Sequence, residues 1–99
     1  MAEKLLDQAV RLTEMLHERS RDADGDALEP LKRERDRLLR MALDDESIAS
    51  ADKYAVLRRI KALDEETIVH LERQRDEAAQ ALRQLRTRHQ AAASYLAAG

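Results

Sequence analysis

From Asp52 to Ala93 the chain contains neither glycine nor proline. Along that stretch Leu57, Ile60, Ile68, Leu71, Ala78, Leu82, Leu85 and Ala92 keep near-heptad spacing. Apolar residues at this period place one continuous stripe along a helix. At about 1.5 Å per residue such a helix spans roughly 60 Å. A rod of this length cannot bury its own stripe, so the rest of the chain has to fold against it.

Only two shorter apolar patterns are available to do so. Leu5, Ala9, Leu12 and Leu16 recur at helical spacing, widened by Leu6, Val10 and Met15. Leu28, Leu31, Leu38 and Ala42 form a second face, flanked by Leu39 and Leu43. Between them lies Asp22-Ala23-Asp24-Gly25-Asp26, a run of turn-favouring residues, with Pro30 following. Proline is tolerated in a first helical turn but not deep inside a helix. A new helix is therefore expected to start between Asp26 and Pro30, with Asp26 and Glu29 as a capping box. The acidic stretch 44–52, with Ser47 and Ser50, is the second break. The expected fold is all-α, one domain over residues 1–99. An antiparallel hairpin or bundle of two shorter helices (about 3–21 and 27–43) packs on one long C-terminal helix (about 52–94), after an acidic loop at about 44–51. The alanine-rich tail 91–99 is expected to fray.

Composition narrows the chemistry. The 99 residues include no cysteine, so neither disulfides nor thiolate chemistry is available. The formal net charge is −2, which gives no long-range pull on nucleic acid. No apolar run approaches the roughly 18 residues of a membrane span, and the N-terminus does not read as a signal peptide. A core built largely from alanine and leucine in so short a chain is marginal alone, and a partner or a second copy would help it.

His17, His70 and His89 are the only histidines. Glu14 and His17 make a single Glu-x-x-His, whereas a di-iron bundle needs two such pairs. Glu66 and His70, four residues apart, are expected to be an ordinary solvated pair. The string Leu57-Arg58-Arg59-Ile60-Lys61-Ala62-Leu63-Asp64 is similar to the opening helix of helical chorismate mutases, but the second Ile-Asp dipeptide is absent. No catalytic residue, cofactor or metal ligand is expected, and the chain is expected not to be an enzyme. Arg83, Arg86, Arg88 and His89 are expected to complement the negative end of the last helix dipole rather than to contact phosphates. Arg35 and Arg75 each interrupt an apolar stripe. Snorkelling along the stripe edge is the simpler expectation, and pairing with a carboxylate across the bundle or with a partner is the alternative.

Three groups of residues occur in a telling order. An N-terminal helix and an acidic turn lead into Asp26-Ala27-Leu28, Leu31, Arg35 and Leu38-Leu39. A restart follows at Leu57, Ile60, Leu63-Asp64, Ile68, Leu71 and Arg75. The chain closes with Leu82, Leu85-Arg86, Ala92 and Tyr95. Over nearly its whole length this order resembles the small flagellar export chaperones of the FliT family; the sibling FlgN-type chaperones show a similar pattern. The resemblance implies a cytoplasmic, non-catalytic protein. It would bind the C-terminal helical segment of a filament-cap subunit, keep it soluble and deliver it to the export machinery. The residues agree with that logic. A hairpin with more stripe than it can cover offers a groove to an amphipathic helix. Leu57, Ile60, Ile68, Leu71, Leu82 and Leu85 are the expected lining, with Arg75 among them. The alternative is a self-associating coiled-coil module, with a homodimer as its product.

Overall fold

The computed structural model describes residues 2–22 and 25–98. Three helices follow one another: α1 (Ala2–Arg19), α2 (Gly25–Asp44) and α3 (Ser50–Ala98). The fold is all-α, with the two shorter helices packed on the long one. α2 folds back along α1 rather than stacking on its end, and α1 lies between α2 and α3. α1 and α3 run in the same direction, since Glu14 approaches Arg59, His17 meets Glu66 and Ser20 meets His70.

The buried face of α1 is Leu6, Ala9, Thr13 and Leu16, spaced three and four residues apart, and Ser20, just past the end of the helix, continues it. The buried apolar residues of the other two helices are Leu28, Leu38 and Ala42 in α2, and Ile60 and Leu63 in α3. Ile48, in the second connection, packs with Leu6 and Ala42, and Leu5 and Val56 lean on that cluster. Ala42 is fully buried there, so a larger side chain has no room. The substitution Ala42→Leu is expected to cost about 2 kcal/mol by overpacking, read as a lower urea midpoint at unchanged slope.

The helix ends explain the connections. Asp45 accepts hydrogen bonds from the Ser47 hydroxyl (2.6 Å) and the Ser47 backbone N–H (2.9 Å), closing a turn. Those bonds, the hydroxyl first, hold the Asp45 carboxyl below its ordinary pKa. Lys53 donates to the Leu43 carbonyl at 2.9 Å, satisfying an orphan acceptor at the end of α2. Gln74 does the same for α1, donating to the Ser20 carbonyl (2.6 Å) and to the Arg21 carbonyl. In the first connection residues 23 and 24 lie outside the described residues. α2 begins at Gly25, so Asp26 sits within its first turn, not at the cap, and favours the positive end of the dipole. Pro30 falls in the second turn, where its missing N–H leaves the Asp26 carbonyl at an exposed end.

α3 departs from expectation at its far end. The tail 91–99, expected to fray, is helical as far as Ala98. With 49 residues α3 sets the length of the molecule, 77 Å by 20 Å by 17 Å. α1 and α2 cover only its first half. From Arg75 to Ala98 every residue is exposed. That projecting half is about 36 Å long.

Candidate functional site

The three helices have the outline of a four-helix bundle with one position open. α2 and α3 approach each other far less than either approaches α1. Between them runs a groove with Leu16 of α1 in its floor. Leu28 and Lys32 belong to the α2 wall, and Ile68 and Leu71 to the α3 wall. Its volume is about 470 Å³. A second, wider concavity of about 930 Å³ shares Gly25, Asp26, Ile68 and Leu71 with it and continues past Arg75 to Ala78. The two make one trough, apolar at its base, that opens toward the projecting half of α3.

Arg35 and Asp64 close the inner end of this trough. The Arg35 guanidinium donates from one nitrogen to both Asp64 oxygens (2.9 and 3.2 Å) and to the Thr13 hydroxyl (3.2 Å). Its Nε donates to Asp36 at 2.7 Å. Thr13 passes its own proton to the Ala9 carbonyl at 2.8 Å, so its oxygen is free to accept. Burial opposes the charge on Arg35, yet the hydrogen bonds it donates to Asp64 and Asp36 outweigh it and its pKa lies above the ordinary value. The simpler sequence expectation for Arg35, a head group in water, is therefore corrected: it is 5 % exposed and pairs across the bundle. Its place inside the Leu31–Leu38 stripe turns it into the bundle, and Asp64 stands opposite to receive the guanidinium. Arg75 does sit at the exposed edge.

On the opposite flank α1 meets α3 through polar side chains. His17 Nε2 lies 2.7 Å from a Glu66 oxygen. Ser20 donates to the His17 carbonyl at 2.6 Å, and its oxygen is 2.9 Å from His70 Nδ1. A hydroxyl whose proton is already used must accept, which assigns the Nδ1–H tautomer to His70. Glu66 and His70 are thus not a solvated pair, because each is taken by a different residue of α1. Among the described residues no cluster of three or more His, Asp or Glu side chains could hold a metal ion. No helix among them is long and apolar enough to cross a membrane.

The seven residues expected to line a groove separate into four groups. Ile68, Leu71 and Arg75 lie on the trough; Ile68 is 52 % exposed and Leu71 half-buried. Leu57 is further back on the same helix, beyond the Arg35–Asp64 pair, and exposed. Leu82 and Leu85 are on the projecting half, 48 % and 63 % exposed. Ile60 is a correction: at 5 % exposure it belongs to the core of the molecule and lines no surface. Thr13, Ser20, Asp64 and Gln74 were missed, since short polar side chains on a helix carry no periodic signal. The arginine inside the α2 stripe was the one sign that a buried acceptor had to exist.

Neither a curated protein nor a solved structure gives a significant match to this chain. A family model does, that of "Flagellar protein FliT", and it covers residues 3–97. That span takes in α2, the trough and all but the terminal residues of α1 and α3, and the chain belongs to the FliT flagellar protein family.

Proposed function

We propose that this protein is a cytoplasmic export chaperone that seats one amphipathic helix of a flagellar client in the trough between α2 and α3, as the fourth helix of the bundle, and hands it to the export machinery. Membership of the FliT family supports a flagellar chaperone role. The observation that carries the finer reading is the separation of α2 from α3 over a base of Leu16, Leu28, Ile68 and Leu71. A helix laid there would bury apolar surface on three sides while its polar face met Lys32, Glu72 and Arg75 at the rim. Buried anchors supply most of the affinity in such a contact, and rim charges set the rate and the choice of partner.

The client favoured by the family resemblance is the C-terminal helical segment of a filament-cap subunit. Calorimetry with a synthetic peptide of that segment, from the cap subunit of the same genome, tests it. A one-to-one complex with a negative heat-capacity change, the mark of apolar burial, is expected. Absence of binding by both the peptide and the intact cap subunit would overturn the assignment.

A further inference from the structure

Basic side chains gather at two places that the packing of the helices does not use up. Arg83, Arg86, Arg88 and His89 lie two or more turns before Ala98, and the last turn of α3 holds no basic residue. The dipole effect is confined to the last turn, so the expectation that these residues serve it is corrected. Lys32 and Arg35, by contrast, face a cavity. Both line the trough, at the end that Arg35 and Asp64 close.

The Arg35 guanidinium is not spent on the fold. Its Nε donates to Asp36, and Nη1 donates to both Asp64 oxygens and to Thr13. Among the described residues nothing accepts from Nη2. That nitrogen is not sealed in the core either, because among the described residues no buried side-chain nitrogen or oxygen lacks a partner. The opening that Arg35 lines is the trough, so Nη2 presents its N–H donors there. Lys32, exposed and one turn earlier on α2, makes no ion pair among the described residues. The mouth of the trough has the opposite character. Asp22, Asp26 and Glu72 line it with Arg75. Asp26 sits in the first turn of α2 and offsets the positive end of that helix's dipole.

We infer that the closed end of the trough receives the C-terminal carboxylate of the client, held by Arg35 Nη2 and Lys32. The seated helix ends its chain there. Since α3 runs from Asp64 at the closed end to Ala78 at the mouth, the client lies antiparallel to it. The inference rests on the chaperone reading and adds the direction of the client and the chemistry of its end. A closed end admits a terminus and stops a chain that continues. Each terminus of a helix brings its own charge, with bare carbonyls and partial negative charge at the C-terminus, and bare N–H groups and partial positive charge at the N-terminus. The cations suit the first at the closed end, and the carboxylates of the mouth suit the second. A guanidinium already fixed by Asp36, Asp64 and Thr13 gives a charge-assisted hydrogen bond at little ordering cost. The α3 wall from Asp64 to Ala78 is about 21 Å long, room for about fourteen residues of client helix.

Titration calorimetry on the full chain tests this with the cap-subunit peptide prepared twice, with a free C-terminal carboxylate and as the amide. The amide is expected to bind roughly ten-fold more weakly, having lost a charged hydrogen-bond partner. Lys32→Gln, a change at an exposed residue, is expected to weaken the free acid about three-fold and to leave the amide unmoved, since only the acid offers Lys32 a charge. Circular dichroism checks that the variant keeps its helix content. The direction has its own readout, since the chain lacks cysteine. A cysteine at the next-to-last position of the peptide should form a mixed disulfide with Lys32→Cys, and one about fourteen residues earlier should do so with Ala78→Cys. Equal binding of acid and amide, or the reverse disulfide pattern, overturns the inference and leaves the chaperone reading intact. Binding of neither the peptides nor the intact cap subunit removes both.

Discussion

Replacing Arg35 with alanine is expected to lower folding stability by about 3 kcal/mol. The guanidinium is nearly fully buried and joins α1 through Thr13, α2 through its own backbone, and α3 through Asp64. Removing it leaves a carboxylate at a desolvated contact with no cation and a gap where the long stem packed. Asp64 retains 36 % of its side-chain exposure and can regain some water, which keeps the cost at the low end of the range for a broken buried pair. In a domain of this size the change lowers Tm by more than about 10 °C. The cost should come from the stranded partner more than from the lost attraction. The double variant Arg35→Met with Asp64→Leu is therefore expected to recover most of it, because apolar side chains of similar volume replace a buried pair at little cost. Urea unfolding of wild type, the single variant and the double variant measures both effects. A single variant within about 0.5 kcal/mol of wild type would mean that the clasp holds nothing together.

The second large effect concerns binding rather than folding. Leu71→Asp puts a charge at the middle of the trough base, where Ile68, Leu16 and Leu28 supply apolar surface. An arriving helix would have to desolvate that carboxylate. A central anchor of this kind is worth about 2 kcal/mol or more, so client affinity should fall roughly thirty-fold or further. Leu71 is only half-buried in the free chain, so the fold itself should lose much less. The comparison that isolates the trough is Leu57→Asp, an exposed leucine beyond the clasp, expected to change client affinity less. Titration calorimetry with the cap-subunit peptide, paired with thermal melts, separates the two effects. Retained affinity in a folded Leu71→Asp chain would move the client elsewhere.

The long helix was legible in the sequence because an uninterrupted run of helix formers and a stripe of apolar residues admit little else. The hairpin of the first two helices was less so. Their stripes gave length and face, but whether they stacked or folded back depended on tertiary contacts such as Ile48 closing over Leu6 and Ala42. Polar burial was the least legible. Thr13, Ser20 and Thr67 look like solvated residues, yet each can be buried because its hydroxyl donates to a backbone carbonyl three or four residues earlier. The groove residues were read from one stripe as one surface. That stripe cannot tell which of its members face the chain's own helices, and the packing of α1 divides it. Ile60 turns inward, Ile68 and Leu71 border the trough, and Leu82 and Leu85 extend beyond any covering helix.

A photo-crosslinking amino acid placed at Lys32 or Glu72, on opposite walls of the trough, asks most directly whether a client helix lies between α2 and α3. Arg11 and Glu18 on the exposed face of α1 serve as reference positions. Capture of the cap-subunit peptide from both walls, and from neither reference position, is the predicted result. Capture through α1 with nothing from positions 32 and 72 would contradict the account.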